Sequence, residues 1–315
     1  VHHLAGRRRL GRRRLCFRGH RGHARGVLRL ARGGRFSRIL PGKEASGLSM
    51  LTPVIGQTLA EFFERRGLPV HRAAGAWWTP FSHGSRFLMS LPEQVTVAGG
   101  TEEVGALLRR QRCLAARYPV EAGSGLASGY YVWRQQEFGL PSLDRKLRNN
   151  VRRGLEQCAL RELDPAELLS LGQPLNRETM ERQGRFNPEF ADDAMWTRFV
   201  QAVRETPGMS ITGAFVEDEL AAYSIECRAD GWWYALYQNS RASRLKHFPN
   251  HALDYYSLER ASQDPACQGV LNSPLPLALN EGLHDYKTRF GYQVAPYRLA
   301  IQLHPLADPI VRSRV

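Results

Sequence analysis

Three strand patterns joined by two short polar turns occupy residues 209–239, "MSITGAFVEDELAAYSIECRADGWWYALYQN". "MSITGAFV" and "LAAYSIECRA" are separated by "EDE", and "DG" precedes "WWYALYQN". Runs of β-branched, aromatic and small apolar residues between turns this short predict an antiparallel meander, because such turns leave consecutive strands side by side.

The segments that follow the meander alternate in type. "NHALDYYSLERASQ" predicts a helix with Asn250 as its N-cap, and "GVLNS" predicts a short buried strand. "LNEGLHDYKTRFG" predicts a second helix, and "APYRLAIQL" predicts a last strand. The resulting order, β-β-β-α-β-α-β, is typical of an α/β protein with a mixed central sheet flanked by helices.

The segments before the meander predict a smaller unit over residues 50–141. They are a helix ("LTPVIGQTLAEFFERRG"), an aromatic strand pair, a helix that starts at Thr101 ("TEEVGALLRRQRCLAARY"), a loop ("EAGSGLASG") and a strand ("YYVWRQ"). Because this part is small and has few strands, we expect a half-domain packed on its neighbour. The main domain then spans residues 142–304, and 305–315 form a tail.

The net charge of +14 is concentrated in residues 1–49, which contain 14 Lys and Arg residues and a single acid, Glu44. The remaining residues are nearly neutral, so their partners need not be polyanions, and we expect no DNA partner. The segment is rich in Arg, Gly and His and poor in apolar residues, which predicts disorder. The segment has three interpretations: a basic arm, an organelle transit peptide, or an extension upstream of a working start at Met50. We favour the third.

The cysteines and the hydrophobic runs restrict the class of protein. Five cysteines are scattered without a Cys-x-x-Cys pair, and no His/Asp cluster has the spacing of metal ligands. We therefore expect no metal site and a reducing, cytoplasmic location. No segment has eighteen consecutive apolar residues, so we expect no membrane span.

Two basic features have a structural and a functional interpretation. The helix "SLDRKLRNNVRRGLEQC" places Arg148 and Arg152 one turn apart, either on a solvated face or as a basic rim for an anionic substrate. Lys287 falls on the inward face of its helix, one turn before the ending glycine. It either pairs with a nearby acid such as Asp285 or Glu281, or neutralises an anion in a cleft.

The segment 280–292, "NEGLHDYKTRFGY", resembles the penultimate helix of the GNAT superfamily, the acyl-CoA N-acyltransferase fold. That family has the loose pattern Asn-x-x-Ala-x-x-Leu-Tyr-x-Lys-x-Gly-Phe, and Asn280 takes the Asn position. Lys287 takes the position of the tyrosine that many members use as a proton donor to the leaving thiolate. The ending "KTRFG", the basic helix and "HFPNHALDYYSLERA" look like the Fem-type and acetyltransferase-like branch.

The resemblance implies a fold, an activity and a set of site residues. The parallel strands "WWYALYQN" and "GVLNS" should splay into a V-shaped opening, with the ammonium of Lys287 directed toward it. Asn280, Lys287 and either Leu283 or His284 should share one helix face. The site residues that we expect are, as catalytic groups, Lys287 and Glu226; for donor binding, Arg244, Lys246, Asn250 and Asn280; and for substrate binding, Trp233, Tyr237, Arg148 and Arg152. Strand alternation predicts that Trp233 and Tyr237 share one face.

One departure from the family pattern means that the sequence does not decide between two classes of donor. Coenzyme-A-binding members hold the pyrophosphate in a glycine-rich loop, whereas residues 238–250, "QNSRASRLKHFPN", contain no glycine. Fem-type enzymes use aminoacyl-tRNA instead. The sequence therefore predicts a transferase that moves an acyl or aminoacyl group from acyl-CoA or aminoacyl-tRNA to a small-molecule or cell-envelope amine, with no tightly bound cofactor. The alternative is a non-catalytic GNAT-like binding module.

Removal of residues 1–49 should leave the melting temperature of the protein unchanged, because the charge is confined to this segment and ordinary patterning begins at Met50. The measurement compares thermal unfolding of residues 50–315 with that of the full chain. A loss of several degrees would show that the segment packs on the folded body.

Overall fold

The computed structural model of the protein describes residues 56–121, 125–276 and 280–306. The helices in these ranges are α1 (Gln57–Arg65), α2 (Thr101–Gln111), α3 (Arg145–Gln157), α4 (Pro165–Gln183), α5 (Pro188–Ala191), α6 (Asp193–Glu205), α7 (Pro249–Gln263) and α8 (Glu281–Arg289). The strands are β1 (His71–Ala73), β2 (Ala76–Pro80), β3 (Phe87–Leu91), β4 (Ala115–Val120), β5 (Leu126–Arg134), β6 (Ala159–Glu162), β7 (Met209–Val216), β8 (Glu219–Ala229), β9 (Trp232–Ser240), β10 (Gly269–Pro274) and β11 (Gln293–Leu303). Short 3₁₀ turns cover Leu140–Ser142 and Ala242–His247.

All of these strands join one sheet, in the order β1-β2-β3-β4-β11-β5-β10-β9-β8-β7-β6. β3 pairs with β4 and β9 pairs with β10 in parallel, and the other neighbours are antiparallel. The predicted mixed sheet and the antiparallel meander β7-β8-β9 are therefore confirmed. β5 lies between β10 and β11, so the sheet runs without a break from the N-terminal strands to the C-terminal ones.

The helices cover both faces of the sheet and divide the core. Helices α1, α4 and α6 build one cluster, which contains Phe62, Leu175, Trp196, Phe199, Ile225 and their neighbours. Helices α3, α7 and α8 build another, with Leu147, Val151, Leu258 and Phe290 packed on Trp133 and Val270. Helix α2 covers the N-terminal strands through Val104, Leu107 and Leu108.

Two local predictions were wrong. The second helix ends at Gln111 rather than near Tyr118, because Arg112 takes a left-handed conformation with φ of 52° and its N–H bonds the last helical carbonyls. The residues beyond it form β4. Asn250 is not the N-cap of α7; Phe248 occupies that position, and Pro249 begins the helix, where its missing N–H costs no hydrogen bond.

Some predictions concern parts of the chain outside the described ranges. The segment 1–49, for which the sequence predicts disorder, and the end of the tail after residue 306 lie there. The domain boundary at residues 141 and 142 stays a prediction. Among the helices that the structure describes, none combines the length and the apolar character required to cross a membrane.

A buried ion pair joins α1 to α5 beneath the sheet. The Arg66 Nε donates to Glu189 Oε1 at 2.9 Å, and the Arg66 Nη2 contacts the other carboxylate oxygen. Both side chains are almost completely buried. Aromatic rings surround the guanidinium at 4.6 to 5.6 Å from its central carbon, namely those of Phe62, Phe63, Phe199 and Tyr237. The pair therefore fixes the N-terminal helix to the rest of the core.

Substitution Arg66→Met should lower the free energy of unfolding by about 3–5 kcal/mol, because it leaves the Glu189 carboxylate buried without its cation. Denaturant unfolding measures the loss. The double variant Arg66→Met with Glu189→Leu should regain most of it. The control is Arg177→Met, in an exposed pair with Asp193, which should change stability little. Equal losses for Arg66→Met and Arg177→Met would contradict the role of the buried pair.

Candidate active site

Strands β9 and β10 part after three residue pairs, Gly269 with Trp232, Val270 with Trp233 and Leu271 with Tyr234. Beyond these pairs β10 stays on β5, while β9 stays on β8. A cavity of about 150 Å³ lies where they separate. The predicted parallel pairing of "WWYALYQN" with "GVLNS" is therefore confirmed, and the opening between the two strands holds a cavity.

The cavity has polar and apolar walls in nearly equal measure and is built by five parts of the fold. Its walls come from β8, β9, α7 and the end of β10, with one tyrosine from the turn after α8. The lining residues are Ser224, Glu226, Ala235, Leu236, Tyr237, Gln238, Leu253, Asp254, Ser257, Asn272, Ser273 and Tyr292. Two carboxyl groups and several hydroxyl and amide groups thus face one small space.

Lys287 is buried beside this cavity, with 7% of its surface exposed. Its ammonium donates to Asn272 Oδ1 at 2.5 Å and to Ser273 Oγ at 2.6 Å, and both acceptors line the cavity. The same nitrogen lies 4.4 Å from the centre of the Tyr131 ring. The cation is therefore directed toward the opening between β9 and β10, while Asp285 and Glu281 on the same helix are exposed.

Burial shifts the pKa values of the ionisable groups around the cavity in the direction that favours their neutral forms. It lowers the pKa of Lys287 to about 8, against the opposing effect of Asp254. It raises the pKa of Asp254 to about 6, although that carboxylate accepts a hydrogen bond of 2.5 Å from the Tyr286 hydroxyl and lies near the lysine. Near neutral pH the site therefore holds a cation and an anion that are each close to losing their charge.

Glu226 lies on β8 with 3% of its surface exposed. Burial raises the pKa of its carboxyl, and the hydrogen bond donated by the Ser257 hydroxyl and the charges of Arg260 and Arg228 oppose that rise. A carboxylate with a raised pKa is a stronger base than an ordinary one. Its position in the cavity wall gives it access to a bound group.

Trp233 and Tyr237 do not share a face, contrary to the alternation that we predicted. Ile225 on β8 pairs with Tyr237 on β9, whereas the next residue, Glu226, pairs with Ala235. Leu236 is therefore an extra residue in β9, and this bulge interrupts the alternation of side chains. Trp233 packs in the core beneath α3 and α7, whereas Tyr237 packs on the opposite face. Tyr237 lines the cavity, and Trp233 is not among its lining residues.

The residues predicted to bind a donor lie around the end of β9. The Arg244 guanidinium binds Glu219 at 2.7 Å and Glu217 at 3.1 Å, so its charge is already balanced within the protein. Lys246 is exposed in the 3₁₀ turn. Asn250 is half-buried in the first turn of α7 and donates to Ser240 Oγ at 3.3 Å. None of these groups is among the residues that line the cavity.

Of the two alternatives predicted for the inward face of α8, the structure selects His284. Asn280 caps the helix by accepting a hydrogen bond from the Leu283 N–H at 3.1 Å. Leu283 is 41% exposed. His284 takes the inward position instead, with Nδ1 3.0 Å from the Tyr131 hydroxyl.

The basic helix α3 begins at Arg145, with Asp144 as its N-cap. Arg148 is half-buried and donates to the carbonyls of Leu143 at 2.8 Å and Pro141 at 3.4 Å. Arg152 is exposed on the outer face. α3 packs on α7, whose inner face lines the cavity, so the predicted rim is adjacent to the site without contributing to its walls.

Sequence reasoning missed the groups that hold Lys287 in place. Asn272 and Ser273 are polar residues at the end of the short buried strand "GVLNS", and that abrupt change from apolar to polar was a usable signal. Asp254 lies one helical turn after Asn250, on the face of α7 that packs on the sheet. Its role was hidden because its neighbours come from distant parts of the chain.

The comparisons with known proteins rest on structure alone, since neither a family model nor a curated protein matches the sequence. The structure of FemX is similar over 81% of this chain and 93% of its own, with 14% identity and a TM-score of 0.55. The C-terminal domain of a protein named as a lysylphosphatidylglycerol synthetase, from Agrobacterium fabrum, is similar over 85% and 94%, with 11% identity and a TM-score of 0.53. L-PGS from Bacillus licheniformis is similar over 82% and 92%, with 12% identity and a TM-score of 0.51.

These identities are too low to assign an activity, and they show the fold alone. The chain has a GNAT-like fold of the Fem type.

Proposed function

We propose that the protein is a transferase that moves an acyl or aminoacyl group from an activated donor to an amine acceptor. The observation that carries this proposal is the cavity where β9 and β10 part, with a buried lysine on one side and the carboxyls of buried Glu226 and half-buried Asp254 in its walls. Acyl transfer to an amine needs an oriented carbonyl and a neutral amine, and a cation near the developing oxyanion accelerates it; groups for all three lie around one small cavity.

Lys287 is the group that we assign to the oxyanion. Its ammonium is fixed by two hydrogen bonds to neutral oxygens, so its charge is not cancelled by an ion pair. A positive charge in a buried site stabilises developing negative charge more strongly than it does in water. When the donor carbonyl lies beside Asn272 and Ser273, its oxygen is one residue away from this cation.

Glu226 is the group that we assign to the acceptor amine. An amine arrives at neutral pH mainly as an ammonium ion and must lose a proton before its nitrogen can attack. A carboxylate whose pKa is raised by burial accepts that proton readily. The Ser257 hydroxyl that bonds to Glu226 holds this carboxylate in its orientation.

The donor is an acyl-CoA or an aminoacyl-tRNA, and we propose no tightly bound cofactor. The 3₁₀ turn after β9 lacks a glycine-rich cradle, and Arg244 is engaged with two glutamates. That leaves exposed Lys246, together with Asn250 and Asn280, as the candidate donor contacts. The acceptor is a small-molecule or cell-envelope amine, and one similar structure is named for the synthesis of an aminoacylated lipid.

A non-catalytic binding module is the second candidate, and the missing glycine-rich loop favours it. The test incubates the full chain with acetyl-CoA, with longer acyl-CoAs and with aminoacyl-tRNA, each in the presence of primary amines. Release of free thiol or of uncharged tRNA that depends on the amine supports the transferase. Binding of a donor without any release would support the module.

Substitution Lys287→Met should reduce turnover, or the affinity for the donor, by about tenfold or more, the scale of one lost charge-assisted hydrogen bond. The melting temperature should change little, because Met fills a similar volume and Asn272 and Ser273 can bond to water in the cavity. The measurement combines steady-state kinetics with thermal unfolding.

The matched control is Lys146→Met, which removes an exposed lysine of α3 that has no assigned role and should leave folding and activity intact. If Lys287→Met lowers the melting temperature and leaves the activity per folded molecule unchanged, the lysine is structural and the assignment to the oxyanion is wrong.

Turnover should fall as the pH rises through about 8, because burial lowers the pKa of Lys287 to about 8 and the catalytic form is the protonated one. The nearby tyrosines Tyr131, Tyr286 and Tyr292 have pKa values raised by burial, and the carboxyl of Asp254, with a pKa of about 6, ionises at lower pH. A pH profile of kcat/KM tests this. Lys287→Arg should remove the decline near pH 8, because a guanidinium stays protonated; an unchanged decline would contradict the assignment.

A further inference from the structure

The choice of lysine at position 287 stands out against the composition of the chain. Of the 44 basic residues only four are lysines, Lys43, Lys146, Lys246 and Lys287, and the rest are arginines. Lys146 and Lys246 are exposed, whereas Lys287 is buried. An arginine stays protonated in proteins and does not act as a nucleophile, but a lysine can lose its proton when it is buried.

The two hydrogen bonds of Lys287 are compatible with the neutral amine as well as the ammonium, while the Tyr131 ring and the charge of Asp254 favour the ammonium. Both hydrogen-bond acceptors are neutral oxygens, and none of the ion pairs found in residues 56–121, 125–276 and 280–306 includes this lysine. Loss of the proton therefore breaks no ion pair, and the amine can keep both hydrogen bonds. The lone pair takes the place of the third hydrogen.

The cavity offers room for an acyl group beside the two residues that bind this nitrogen. Asn272 and Ser273, which accept the hydrogen bonds from Lys287, belong to its wall. Its volume of about 150 Å³ is sufficient for a small acyl chain. An activated carbonyl that enters the cavity to react with an acceptor amine also comes within reach of the protein's own amine.

We propose that Lys287 is itself a modification site, which takes an acyl group from an acyl thioester or an acyl phosphate to become an Nε-acyl-lysine. The neutral nitrogen attacks the carbonyl carbon, a C–N bond forms, and the C–S or C–O bond to the leaving group breaks. The proton released by the nitrogen passes to the leaving thiolate or phosphate. The products are an amide on the protein and a free thiol or inorganic phosphate.

This modification regulates the site. The amide carries no charge, so the cation beside the cavity is lost, and the acyl chain occupies the space of the donor carbonyl. The inference rests on the proposed function only in taking the cavity as the place that receives the acyl group. A protein that meets activated acyl groups without an acceptor would thus switch itself off.

The test incubates the full chain with acetyl phosphate, and in parallel with acetyl-CoA, at about pH 7.5, followed by digestion and mass spectrometry. Lys287 should be acetylated at least about tenfold faster than Lys146 and Lys246, because a lysine with a pKa near 8 is far more often neutral at this pH than an exposed one. In urea the preference should disappear, since the burial that creates it is lost. Lys287→Arg should remove the acetyl group at this position and leave the other two unchanged.

Acetylation of Lys146 and Lys246 while Lys287 stays unmodified would overturn the inference, and so would a preference for Lys287 that persists in urea. The outcome is independent of the proposed function. Failure of the protein to acylate any added amine would sink that function, yet reaction of Lys287 with acetyl phosphate would still establish the modification site.

Discussion

The brevity of the parallel pairing between β9 and β10 is the constraint on which the site depends. Each strand keeps an antiparallel partner on its other side, β8 for β9 and β5 for β10, so the two must separate when those partners diverge. The bulge in β9 near Leu236 adds to the separation by turning the strand. The cavity exists because β9 and β10 separate from each other while each of them stays paired with its antiparallel neighbour.

The chemistry of the cavity follows from the effect of burial on the pKa values of its ionisable groups. The buried lysine, the buried carboxyl of Glu226 and the half-buried carboxyl of Asp254 would be costly if all stayed fully ionised, and desolvation shifts the pKa of each in the direction that favours its neutral form. Lys287 and Asp254, with pKa values of about 8 and about 6, exchange protons near neutral pH at little cost in free energy. The same property suits the proposed transfer reaction and the proposed acylation of Lys287.

The sequence predicted the elements whose signals are local. Turns such as "DG" identified the meander, and the position of Lys287 relative to the glycine after α8 identified it as an inward-facing cation. Features that depend on distant residues were not predicted. Asp254 and Asn272 come close to Lys287 only when the sheet and its helices are assembled. The bulge at Leu236 reverses the alternation of side chains in β9. Arg112 ends α2, although no glycine stands there to indicate the end of the helix.

The place of β5 in the sheet has a consequence for how the chain is made. This strand leaves the ribosome long before β10 and β11, yet these two late strands flank it in the sheet. Until β10 has been synthesised, β5 has no partner on either edge, and its pairing with β11 is complete only once Leu299 has been added. Pairing between strands so far apart in the sequence makes folding slow, and the sheet is completed only near the end of synthesis. The protein should therefore depend on chaperones during synthesis more than its size suggests.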